Sequence, residues 1–161
     1  MKTVSIIVLS ILSLFAIDLE KVRQQFEQAK DSKQATEDLY ASLQSYTKND
    51  PVILAYKGAS MTLKARLLAS REEKKKMVSE GIKLLEKAVK ASPKNVEIRL
   101  VRLAIQEHAP KVLKYKMNIH EDKQMILANF AAQPTGVKTW INRYAKQSNV
   151  FSPAEQAKLV Q

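Results

Sequence analysis

The sequence predicts an all-α protein of about seven helices, and three observations predict it. Glycine is scarce, 3 of 161 residues, and aromatic residues make up 6%, whereas sheet proteins draw on turn glycines and on aromatic and β-branched strand residues. Ala, Leu, Lys, Gln and Glu are abundant, and these side chains lose little freedom in a helix. Apolar residues recur at steps of three and four along most of the chain, which places them on one helical face.

Leu19, Val22, Phe26 and Ala29 share a face, and Asp31-Ser32 offers the next cap. Thr36, Leu39, Tyr40, Leu43 and Tyr46 form a second face, which Lys48-Asn49-Asp50 ends. Asp50-Pro51 is a strong helix start, the carboxylate capping free amides and the proline pre-set for the first helical position. The helix over about 51–69 carries Val52, Ile53, Tyr56, Ala59, Met61, Leu63, Leu67 and Leu68 around most of its circumference, as a helix sandwiched between others does. Gly58 in its interior costs about 1 kcal/mol relative to Ala, so a close helix–helix approach is expected there. Ser70 with Glu73 three residues on matches a capping box. The helix that follows opens on a basic run, turns apolar at Met77, Val78, Ile82, Leu85, Ala88 and Val89, and stops at Ser92-Pro93.

Asn95 caps the next helix. Val96 to Leu100 alternates like a strand, but Leu100, Val101, Ala104 and Ile105 keep helical steps and Pro110 ends the run. Residues 110–119 read as an irregular linker or a short helical turn. Two further helices, around Ile126, Leu127 and Phe130 and around Val137, Trp140, Ile141 and Tyr144, are split by Pro134-Thr135-Gly136. Ser152-Pro153-Ala154-Glu155 starts a last short helix with cap, proline and box acid in place.

The organisation is a signal peptide, 1–16, followed by a single helical domain, 17–161. Lys2 supplies a positive start, Val4 to Ala16 is uncharged and mostly apolar, and Asp18 and Glu20 open charged sequence; this is the order of an export signal. The run is short of the roughly 20 residues a membrane-spanning helix needs. Cleavage is expected after Ala16, with an uncleaved membrane anchor or a buried core helix as the competing readings. Cysteine is absent. That excludes disulfides, thiol catalysis, Cys-type zinc sites and lipid attachment through Cys. It also favours a bacterial periplasm or cell envelope over the Cys-dense domains of a eukaryotic secretome.

The segment from Gly81 to Asn95 resembles the second helix and exit of a tetratricopeptide repeat: Gly81, Leu85, Ala88 and Pro93 stand where that family places a small residue, a large apolar residue, an alanine and a proline. Leu54-Ala55-Tyr56-Lys57-Gly58 resembles the repeat's first helix. The pattern is stretched, because Gly58 and Pro93 lie 35 positions apart, roughly eleven more than a repeat of about 34 residues allows. The excess falls largely between Ser70 and Lys76, and the repeat's usual Trp is missing from this stretch. The chain as a whole also resembles small exported helical proteins of Gram-negative bacteria. The resemblance implies helical hairpins, a protein partner and no catalysis; an irregular α-bundle is the competing fold.

Catalytic and metal chemistry find little support. The glycines at 58, 81 and 136 are isolated, so no phosphate loop exists, and no nucleophile elbow is visible. Glu107-His108 and His120-Glu121-Asp122 are the clusters able to hold a metal or relay a proton. Neither has the paired-His spacing of zinc proteases, and surface or cap residues are the simpler reading. No cofactor, metal or catalytic residue is expected, and a small hydrolase is the least favoured reading.

The formal net charge is +11. Arg71 with Lys74-Lys75-Lys76, and Lys111, Lys114 and Lys116 in the linker, concentrate it. Export and the lack of any nucleic-acid motif disfavour a nucleic-acid partner; anionic lipid or acidic polysaccharide suits the compartment better. Tyr40, Tyr46, Tyr56, Tyr115 and Tyr144 are candidates to line a groove. The expected function is a non-catalytic module that binds protein in the envelope, with binding of an anionic envelope component as the alternative.

Overall fold

The computed structural model describes residues 17–160, and the expected export segment, 1–16, lies outside them. Among the described residues there are eight α-helices and no strand: α1 Leu19–Ala29, α2 Lys33–Gln44, α3 Pro51–Ala65, α4 Arg71–Ala91, α5 Val96–His108, α6 Ile119–Asn129, α7 Thr135–Gln147 and α8 Pro153–Lys158. Short 3-10 turns sit at Lys111–Leu113 and Phe130–Ala132. No helix of the described residues is long and apolar enough to cross a membrane.

Five caps form where the sequence places them, and Asp18 adds another at the start of α1. Asp18, Ser32, Asp50, Ser70, Asn95 and Ser152 each accept from a free amide of the first turn, which satisfies donors that have no partner inside the helix. The reciprocal box is complete at Ser152–Glu155. At Ser70 only the cap half forms: its hydroxyl accepts from the Glu73 amide at 3.3 Å and turns its own proton to Glu72. The helix expected over 51–69 stops four residues earlier, at Ala65, where Arg66 turns its side chain back onto the carbonyls of Leu63 and Ala29. The break expected at Pro134-Thr135-Gly136 is narrower: Pro134 precedes α7, and Thr135 and Gly136 form its first turn.

Polar pins fix the direction of each helix. Arg23 holds Glu97 at 2.8 Å, Glu27 holds Arg143 at 2.8 Å, Lys30 reaches Gln147, and Arg66 reaches Ala29. The odd-numbered helices therefore run the same way. α2, α4 and α6 return antiparallel: Lys57 meets the end of α2 at Gln44 and Lys64 its start at Glu37, Gly58 lies against Leu85 and Gly81 against Thr62, and Gln106 and Arg102 reach Asn118 and Asp122. The result is a succession of helical hairpins.

One core runs through them. Phe26, Tyr56 and Trp140 meet at its centre with ring centroids 5.5–5.9 Å apart, in the edge-on and tilted arrangements aromatic rings prefer. Leu39, Leu43, Leu85, Ile98, Leu100, Leu103, Ile126 and Ile141 are fully buried around them. Two charge networks cross this core. The Tyr56 hydroxyl donates to Glu97 at 2.9 Å beside Arg23, and Arg99 and Arg102 both close on the fully buried Asp122. Each charge taken from water is thus paired and hydrogen-bonded, the condition under which burial is tolerated.

Candidate functional groove

The C-terminal ends of α1, α3, α5 and α7 come together on one side of the molecule with the N-terminal half of α4. Between these five helices lies a groove of about 1110 Å³, slightly larger than the roughly 300–1,000 Å³ of small-molecule pockets. Its floor is the aromatic centre of the molecule, Phe26 and Trp140, which are 7% and 1% exposed. Leu63, Val78, Ile82, Ala104, Ile105 and Tyr144 make the walls. Beyond Pro110 the chain carries Val112 and Leu113 to the rim, and Val112 stands 82% exposed. Lys114 then takes a left-handed backbone (φ 49°), which reverses the chain so that the Tyr115 hydroxyl can donate to Glu86 on α4.

Charge at the groove is lopsided. Six lining residues are Lys or Arg and three are Asp or Glu. The three acids are already engaged. Glu27 pairs with Arg143, and Asp31 lies 3.7 Å from Lys30. Glu107 accepts from the Tyr144 hydroxyl, from Ser148 Oγ at 2.9 Å and from the Asn149 amide at 2.8 Å. Burial raises the Glu27 carboxyl above its ordinary value, against the pull of Arg143. Arg71, Lys74 and Lys75 are different: among the described residues their side chains make no hydrogen bond and no ion pair, and all three line the groove.

Spacing explains why they face it. Arg71, Lys74 or Lys75, Val78 and Ile82 follow one another by three or four residues and so share one face of α4. That face is cationic at its N-terminal end and apolar further in, over about 16 Å at 1.5 Å per residue. These residues begin at the first turn of α4, just after its Ser70 cap. The basic run lies in helix and not in a loop: α4 has 21 residues, and its first turns form the cationic wall.

The residues singled out from sequence divide. Arg71, Lys74, Lys75, Tyr115 and Tyr144 reach the groove; Lys76, Lys111, Lys114 and Lys116 do not line it. Tyr56 is core, and Tyr40 and Tyr46 are half-buried elsewhere. His108 is exposed at the rim with Nδ1 3.1 Å from the Ala104 carbonyl, while His120 is exposed in the first turn of α6. Asp122 corrects the reading of its cluster as surface or cap residues: it is 0% exposed and grips two arginines. Hydrogen bonds from Asn118 and Arg99 hold the Glu121 carboxyl below its usual range. Among the described residues no group of three or more His, Asp or Glu side chains could hold a metal ion. The floor residues Phe26 and Trp140 were legible as helix-face positions only, because they come from helices more than a hundred residues apart.

None of the protein-family models, curated proteins or solved structures compared with the chain matches it.

Proposed function

We propose that this chain is a non-catalytic binding module of the cell envelope, exported by its first sixteen residues, that works through the groove at the end of its hairpins. The observation that carries the reading is the combination of an apolar cavity floored by Phe26 and Trp140 with three unpartnered cations on one wall. A protein partner and an anionic envelope component both remain within it. Either would have to present apolar surface with negative charge beside it. The tetratricopeptide-like pattern around Gly58 and Gly81 supports the module reading, since stacked helical hairpins commonly use such surfaces for binding.

Trp140 is the only tryptophan in the chain and lines the groove, so its fluorescence reports occupancy. Titration with anilinonaphthalene sulfonate, an anionic apolar dye, should give one saturable site with energy transfer from Trp140. Val78→Arg, on the half-buried groove wall, should abolish that site, while Lys87→Glu on the exposed face of α4 should leave it. Dye uptake that is absent, or equal in all three proteins, would remove the groove as the working surface.

A further inference from the structure

Resting on the groove reading, we infer that the occupant is a single-chain fatty acyl anion, seated with its carboxylate at Arg71, Lys74 and Lys75 and its hydrocarbon directed toward Phe26 and Trp140. Three features select it. First, the polarity of the α4 wall changes along the helix axis, from cations to Val78 and Ile82. A ligand charged at one end matches that gradient, whereas an amphipathic peptide helix is charged along one side. Second, the walls are α-helices whose interior backbone groups are already paired within them, so they offer no ladder to an extended peptide. Third, the acids that line the cavity are engaged by Arg143, Lys30 and the Tyr144–Ser148–Asn149 cluster. The only unengaged charge is therefore positive and lies on the α4 wall.

The position of those cations also needs a reason beyond folding. A helix N-terminus carries partial positive charge and favours acids. Glu72 and Glu73 obey that preference; Arg71, Lys74 and Lys75 oppose it. An anionic head would relieve their mutual repulsion and that of the helix end together.

The test uses Trp140 emission with dodecanoate, tetradecanoate and hexadecanoate below their micelle concentrations. Dodecanol and an acidic amphipathic peptide serve as comparisons, and the variant Arg71→Gln/Lys74→Gln/Lys75→Gln is run in parallel. The acyl anions should bind one to one, with affinity rising roughly fifteenfold for each two added methylenes until the cavity is filled. Dodecanol should bind roughly tenfold more weakly than dodecanoate, and that difference should shrink at high salt and in the triple-Gln variant. The variant should be at least as stable to heat as the parent, since it breaks no contact and removes the repulsion among those cations and with the helix end. Equal binding of dodecanol and dodecanoate, or no dependence on chain length, would overturn the acyl-anion assignment. Binding of the peptide alone would overturn it too while leaving groove binding intact. Failure of every probe, the dye included, would take the groove reading down with it.

Discussion

Gly58 and Gly81 face each other across the α3–α4 contact with no room for a methyl group on either side. A Cβ built on Gly58 would lie 2.5 Å from the Gly81 carbonyl oxygen and 2.8 Å from the Leu85 amide nitrogen; one on Gly81 would lie 2.6 Å from the Gly58 carbonyl oxygen. The obstacles are backbone atoms, which cannot swing aside. Gly58→Ala and Gly81→Ala should each destabilise the fold by about 1–3 kcal/mol, even though alanine is the better helix former by about 1 kcal/mol. Gly136→Ala is the contrast, because its Cβ would meet only side-chain atoms at 3.4 and 3.6 Å, and it should leave stability unchanged or slightly raised. Denaturant midpoints of the three variants check this; a stable Gly58→Ala would mean that α3 and α4 are further apart.

Asp122 holds Arg102 through two bonds of 2.7 Å and Arg99 through one of 2.9 Å, at zero exposure. Asp122→Asn leaves the guanidinium groups of α5 without their buried counter-charge. A loss of about 3–5 kcal/mol is expected, measured by urea unfolding. A loss below about 1 kcal/mol, the range of exposed pairs, would show that water reaches this network.

Three tyrosines should make the fold alkali-sensitive. Burial first, and then a glutamate accepting the phenol proton, pushes Tyr115 and Tyr144 well above the ordinary value of 10.0. Burial and Glu97 do the same to Tyr56. A folded-state pKa raised above the unfolded one gives stability that is complete below pH 10 and is lost as pH rises beyond it. Melting temperature should therefore fall above about pH 10. Tyr144→Phe should be less stable at pH 8, by about 1.5–3 kcal/mol for a hydrogen bond to a charged group, with a shallower alkaline decline. A decline unchanged by this substitution would remove Tyr144 from the explanation.

The opposite sign applies at Glu155. The Ser152 amide, and then Lys123, hold its carboxylate down to about 2 from an ordinary 4.5. A lowered folded-state pKa gives stability present above the ordinary value and lost as pH falls toward the folded one. Between about pH 4.5 and 2, amide exchange in α8 and at Ser152 should quicken ahead of the core. Glu155→Gln should remove that acid-dependent step. Uniform exchange across α6, α7 and α8 in the parent would count against it.

The all-α architecture was written in the chain because its signals are local: a cap side chain reaches an amide two or three residues away, and an apolar face repeats every three or four. Asp50-Pro51, Asn95 and Ser152 to Glu155 behave in the structure as their spacing implies, and Gly58 announced the close approach that Gly81 meets. The point at which α3 stops was not local, since Arg66 is turned by a carbonyl at Ala29, 37 residues back. Nor could the fate of a charge be read from its own neighbourhood. Asp122 beside His120 and Glu121 looks like a surface cluster until α5 brings two arginines to it. Lys74 and Lys75 look like any solvated basic run until the ends of α1, α3, α5 and α7 place an apolar cavity beside them. Periodicity tells which residues share a helix face; what that face meets is decided by packing between helices distant in sequence, and the groove exists only there.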